Sequence, residues 1–247
     1  MKINENDKKS SWQIHLLGDH AILFSLQEKM DATINAEVHA FNHFIQSKKI
    51  KAFKDFIPAY HSLTIVYDII EIQKLIKHNL IDFAQNFIDE FNHFKKENNA
   101  YSLKSKHIKV PVCYDLSFGI DLEKISTQKN KSTQEIIDVH CSGVYQVFCI
   151  GFMPGFAYMG KVDESIQVAR HPKPRALVHA GSVGIAGAQT GIYPKDAPGG
   201  WQIIGRTPLQ IFDPINLALF APNDSVSFYP ISLDEFNSLK KEPNHEH

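Results

Sequence analysis

Cysteine is nearly missing from this chain: Cys113, Cys141 and Cys149 are the only three in 247 residues. An odd number at these spacings builds neither a dense disulfide framework nor a zinc site, so the thiols are expected to be reduced. Long apolar runs are missing too. No segment approaches the ~20 uninterrupted apolar residues of a membrane helix. The opening MKINENDKKSS carries lysines with no apolar run behind them, unlike a secretory signal. A cytoplasmic protein with no membrane partner is expected. Charge of one sign is not in excess either: 26 Lys and Arg stand against 27 Asp and Glu, for a net charge of −1. Mixed along the chain, they create no field to gather nucleic acid, so small molecules and other proteins are the expected partners. The 13 histidines are scattered. With no HExxH and no Cys/His pair at ligand spacing, no metal site is predicted. Internal repeats, low-complexity linkers, GxGxxG and a Gly-Lys-Ser/Thr phosphate loop are all missing.

What is present is uneven. Of 13 glycines, 11 lie between Gly143 and Gly205, which divides the chain into two domains, 1–108 and 109–247. In the first, residues 12–17 and 21–26 read as strands around a Gly18-Asp19 turn. Asp31 caps a helix to about residue 47, and 50–57 and 63–68 read as two more strands. Apolar residues from Ile72 to Phe94 recur every three to four positions, predicting one helix over 71–96. A strand at 107–112 follows. The expected order is β-α-β-β-α-β, a ferredoxin-like scaffold without chemistry of its own. Short helices are expected at 121–126 and 132–141, the second opened by a Ser132/Glu135 capping box. Beyond them, Gly and Pro break the pattern into short strands at 145–150, 183–186, 201–204, 209–212 and 226–231, as in a β-barrel or sandwich.

Three glycine-rich clusters carry the functional signal: GFMPGFAYMG at 151–160, AGSVGIAGAQTG at 180–191, and YPKDAPGGW at 193–201, closed by GRTP at 205–208. Glycine lets a ligand approach backbone N–H groups closely, which suits carboxylate, amide or phosphate oxygens; tight barrel corners are the alternative use. Ser182 lacks the glycine two positions before it that a nucleophile elbow uses, so no catalytic triad is predicted.

These clusters resemble the family that includes the 5-oxoprolinase B subunit, allophanate hydrolase subunit 1 and an inhibitor of a sporulation histidine kinase. The resemblance continues through Phe212-Asp213-Pro214 to NDSVSF at 223–228. It includes Gly18-Asp19-His20-Ala21, PAYHSL at 58–63, and Val112-Cys113-Tyr114 with Asp121-Leu122-Glu123. It therefore spans nearly the whole chain. Ala169 and His179 depart from it, standing where the family usually has proline. The resemblance implies an α+β protein with a ferredoxin-like first domain and a cyclophilin-like β-barrel second domain. It further implies a subunit of an ATP-dependent 5-oxoprolinase, which converts 5-oxo-L-proline with ATP and water to L-glutamate, ADP and phosphate. A larger subunit resembling allophanate hydrolase subunit 2 would complete the enzyme, with a third subunit for full turnover. ATP with magnesium would be a co-substrate, and no tightly bound cofactor is implied. The alternatives are inhibition of a sensor histidine kinase and an allophanate or urea amidolyase subunit.

A lactam is a resonance-stabilised amide, so opening it needs activation and charge stabilisation. Arg175 and Arg206 are candidates to grip carboxylate or phosphate, since a guanidinium fork matches either; a surface ion pair is the alternative for each. Gln189 and Thr190 are candidates for orienting the ring amide. The backbone N–H groups at Gly181 and Ser182 are candidates for an oxyanion, and His171 for a proton carrier. Tyr193, Gly200 and Trp201 complete the expected substrate site. Trp201, Phe152, Phe156 and Tyr158 serve either as its walls or as barrel core.

Overall fold

The computed structural model describes residues 12–97 and 105–241. The chain divides between Lys104 and Ser105 into two compact units.

The first unit runs β1 (Gln13–Leu17), β2 (Ala21–Ser25), α1 (Ala32–Ser47), β3 (Phe53–Pro58), β4 (Ser62–Tyr67), α2 (Ile69–Gln73) and α3 (Leu80–Glu97). Its strands form one antiparallel sheet in the order β1-β2-β4-β3. Asp31 caps α1 as expected, accepting from Thr33 N at 2.9 Å. Phe41 of α1 packs against Phe24 of β2 and Phe91 of α3, each with ring centroids 5.1 Å apart. Two expectations are corrected. The single helix over 71–96 is two helices, because short polar side chains start each one: Asp68 accepts from Ile70 N and Glu71 N, and Asn79 accepts from Asp82 N. The strand expected at 107–112 does not complete this sheet, so the order is not β-α-β-β-α-β. The edge beside β2 is filled by β1, whose tight local turn makes pairing entropically cheap.

That strand, β5 (His107–Cys113), opens the second unit. It is followed by α4 (Leu122–Lys129), α5 (Thr133–Ser142), β6 (Val144–Ile150), β7 (Ala157–Gly160), β8 (Arg175–Val178), β9 (Ser182–Ala186) and β10 (Gln189–Ile192). Then come β11 (Ala197–Gly199), β12 (Gln202–Arg206), β13 (Phe212–Asp213), β14 (Leu217–Ala218), β15 (Ser225–Ile231) and α6 (Leu233–Lys241). Seven strands close into a barrel in the order β10-β7-β6-β15-β5-β12-β9. Its first and last strands are parallel neighbours, from Ser225 opposite His107 to Ile231 opposite Cys113. Val110 and Val112 of β5 are buried in the barrel core with Val226 and Phe228 of β15. The capping box forms: Ser132 N donates to Glu135 at 2.7 Å, and Glu135 N to Ser132 Oγ at 3.2 Å. The strand expected at 209–212 shrinks to the pair β13/β14, since Leu209 N turns back onto Thr207 Oγ1 at 3.3 Å. Among the described residues, no helix is long and apolar enough to cross a membrane.

The barrel interior holds one polar chain. The Thr190 hydroxyl donates to Gly184 O at 3.1 Å, so toward His140 Nε2, 3.0 Å away, it accepts. His140 Nδ1 is then the acceptor for the Tyr114 hydroxyl at 2.8 Å, which in turn accepts from the Cys141 thiol at 3.4 Å. Every member is satisfied with a neutral imidazole, which also stacks on Phe228 at 4.6 Å. Burial pulls the His140 pKa from 6.5 down to about 3. A His depressed in the folded state stabilises it above the unfolded pKa, and that contribution fades as pH falls through the window between the two values. Stability is expected to drop below pH 6.5 by at most about 1.4 kcal/mol per pH unit from this group. Urea unfolding between pH 6.5 and 4.5 checks this. His140→Gln should flatten the slope whatever its effect on absolute stability, and an unchanged slope contradicts the assignment.

Candidate functional site

An aromatic cavity of about 400 Å³ opens on the second unit. Phe156, which follows the loop at 151–155, is its centre. Its ring meets Tyr158 at 4.9 Å, Trp201 at 5.3 Å and Tyr193 at 5.4 Å, each in a T-shaped contact. Phe156 is thus both core and wall. Phe152 reaches it at 5.7 Å while remaining 65% exposed. Glycine is required at Gly199, where a Cβ would collide with the Tyr193 hydroxyl. Burial raises the pKa of Tyr193 and of Tyr158, so both phenols remain protonated at neutral pH. Arg170 and His171 complete the lining with Gly200, and the Arg170 guanidinium lies 5.7 Å from the Trp201 ring centre.

Asp121 organises the polar side of this site. It stands at the first residue before α4, yet its side chain does not cap the helix. Instead Oδ2 accepts from Ile203 N at 2.6 Å, and Oδ1 accepts from Arg175 Nη2 at 2.6 Å and His171 Nε2 at 3.2 Å. The backbone agrees: Asp121 N donates to Ile203 O at 3.0 Å, and His171 N to Gly200 O at 2.7 Å. With Nε2 donating, His171 Nδ1 accepts from the Lys124 ammonium, 3.5 Å away.

This arrangement redistributes the residues expected from sequence. His171, Tyr193, Gly200 and Trp201 do meet around the aromatic cavity. Arg175 sits behind it, and its terminal nitrogens already donate to Asp121 and, at 3.3 Å, to Trp201 O. Its fork positions the Trp201 backbone rather than standing open for a ligand. Thr190 does not join the site. It points into the barrel, as alternation along β10 dictates. Gln189 borders neither this cavity nor the one beside Arg206. The backbone N–H groups expected to receive an oxyanion are committed, Gly181 N to Tyr193 O at 2.7 Å and Ser182 N to His179 O at 3.1 Å. Arg206 and the Ser182 side chain line a second cavity. Sequence reasoning missed Asp121 and Arg170. Asp121 read as a helix start and as part of the Asp121-Leu122-Glu123 motif, and nothing local marks its side chain as one whose partners lie some 50 and 82 residues away. Among the described residues, no cluster of three or more His, Cys, Asp or Glu could hold a metal ion.

The second unit thus presents a seven-stranded barrel with an aromatic cavity whose polar side is anchored by a buried aspartate. Residues 12–220 match the family described as carboxyltransferase domain, subdomain C and D, and the chain belongs to that family. It is 37% identical over 236 residues to the 5-oxoprolinase B subunit of Bacillus subtilis, covering 94% of this chain and 98% of that one. A structure of an uncharacterised protein from Pyrococcus horikoshii is 36% identical, with a TM-score of 0.52 over 91% of this chain and 100% of the other. The K. lactis urea amidolyase shares the fold, with a TM-score of 0.74 at 20% identity. That match covers 94% of this chain but 16% of the amidolyase.

Removing a buried carboxylate that holds a guanidinium and a strand N–H leaves both unpaired. Asp121→Ala is expected to lose about 3–5 kcal/mol of unfolding free energy in urea titration. A loss below about 1 kcal/mol would mean that Asp121 does not anchor the site.

Proposed function

We propose that this chain is a subunit of an ATP-dependent 5-oxoprolinase that acts with a larger partner subunit. The observation that carries this reading is the aromatic cavity: it is wide enough for a five-membered lactam, and Arg170 and His171 line it. The near full-length likeness to a protein named as a 5-oxoprolinase component supports the same substrate, whereas the amidolyase likeness is one of fold.

The chemistry needs two waters. ATP transfers its terminal phosphoryl group to the lactam oxygen, which makes the ring carbon electrophilic and releases ADP. Water adds to that carbon, the C–N bond breaks with the proton passing to nitrogen, and an acyl phosphate results. A second water releases phosphate and leaves glutamate. The aromatic walls exclude bulk water from the ring and orient its faces. Arg170, stacked on Trp201, places positive charge where oxyanions develop, and Lys124 keeps a second positive charge beside His171. His171, held as the Nε2–H tautomer by Asp121, is a positioning residue for the Gly200 backbone and a candidate to relay a proton through Nδ1. MgATP enters as co-substrate.

The test is 5-oxoproline-dependent ADP release by this chain co-expressed with its larger partner, against each subunit alone. Activity is expected only in the complex. Arg170→Ala, a change to an exposed side chain, should lower kcat/KM about tenfold or more, at least ~1.4 kcal/mol of transition-state stabilisation. Turnover by this chain alone, or a formed complex with no turnover, would refute the proposal.

A further inference from the structure

Arg206 has more donor capacity than its protein contacts use. Its Nε donates to Ala180 O at 2.7 Å, and its guanidinium lies 5.7 Å from the Phe118 ring centre. These two contacts fix the group in place. Among the described residues, its two terminal nitrogens have no hydrogen-bond partner, and neither has the hydroxyl of Ser182, a residue only 6% exposed. Arg206 on β12 stands directly opposite Ser182 on β9, so the two side chains share one face of the barrel. Both line a cavity of about 270 Å³ that shares no residue with the aromatic one. Phe118, Leu177, Val178 and Ile203 supply apolar wall.

The loop that places Phe118 here is closely packed. Phe118 N and Gly119 N both donate to Asp115 O, at 2.8 and 2.7 Å, and a Cβ at Gly119 would lie 2.5 Å from Ile204 O. Asp196 is held below the usual carboxylate range chiefly by the bonds it accepts from Ala180 N at 2.7 Å and His179 at 3.3 Å, with the Arg206 charge contributing, so its oxygens are already occupied. A half-buried, immobilised guanidinium with unused donors, beside an unused hydroxyl, calls for an oxyanion, which a planar fork binds best as a carboxylate. The apolar wall calls for a compact hydrocarbon body carrying it. We infer that this cavity binds a small carboxylate on a short aliphatic or cyclic body, at a site separate from the aromatic cavity. 5-oxoproline, a carboxylate on a five-membered ring, itself falls within this ligand class, but the assignment stands on the geometry of this cavity and needs no turnover by the enzyme.

Calorimetric titration of the purified full chain with cyclopentanecarboxylate, cyclopentanol and inorganic phosphate tests it. Saturable binding of the carboxylate and none of the alcohol is expected. Arg206→Gln should weaken the carboxylate about tenfold or more and Ser182→Ala severalfold, while Arg170→Ala leaves it unchanged. If Arg206→Gln does not fold, Arg206→Lys, which keeps the charge and loses the planar fork, should show the same weakening. Phosphate binding without carboxylate binding overturns the assignment. So does carboxylate binding indifferent to Arg206, or no binding at all. ADP release by the complex is read separately, so either conclusion can fail while the other stands.

Discussion

The buried carboxylate of Asp121 is the contact on which the functional face depends. One oxygen ties the segment before α4 to the backbone of Ile203, and the other gathers Arg175 and His171 from a different stretch of chain. Through their own bonds, Arg175 holds the Trp201 carbonyl and His171 the Gly200 carbonyl. A single aspartate, 3% exposed, thus fixes the approach to Trp201, whose ring packs on Phe156 at the centre of the aromatic cavity. Such a carboxylate is tolerated out of water because three donors meet it, one of them the Arg175 guanidinium.

The same segment serves the second cavity. Between Asp115 and Asp121 the chain makes a tight turn, places Phe118 against Arg206, and then docks Asp121 beside Ile203. The two cavities therefore share a support while sharing no lining residue. One offers aromatic faces with the exposed guanidinium of Arg170, the other a fixed guanidinium and hydroxyl against apolar walls.

Beneath both lies a barrel closed by the first and last strands of its unit, with a polar chain inside that runs from Cys141 through Tyr114, His140 and Thr190 to Gly184 O. Each donor in that chain has one acceptor, so burial and hydrogen bonding enforce the same neutral histidine. Fully satisfied networks of this kind specify one packing arrangement of an otherwise apolar interior. The match to 16% of a urea amidolyase chain and to nearly all of the Bacillus subtilis relative shows this pair of units used both within a long chain and as a chain by itself.

Sequence alone determined what depends on neighbours along the chain. The Asp31 cap with the helix it opens, the Ser132/Glu135 box and the glycine-rich second half were all legible, as was the family through its motifs. Of the site, it marked the segments that carry Tyr193, Gly200 and Trp201, because glycine beside aromatics is a local signal. Tertiary structure alone decided where β5 pairs, that Thr190 faces inward to His140, and that Gly181 and Ser182 spend their N–H groups on the chain itself. It alone separated Arg206 from Arg175 and revealed Asp121. The physical reason is that hydrogen-bond capacity is finite: whether a donor is open to a ligand depends on which distant acceptor the fold has already brought to it.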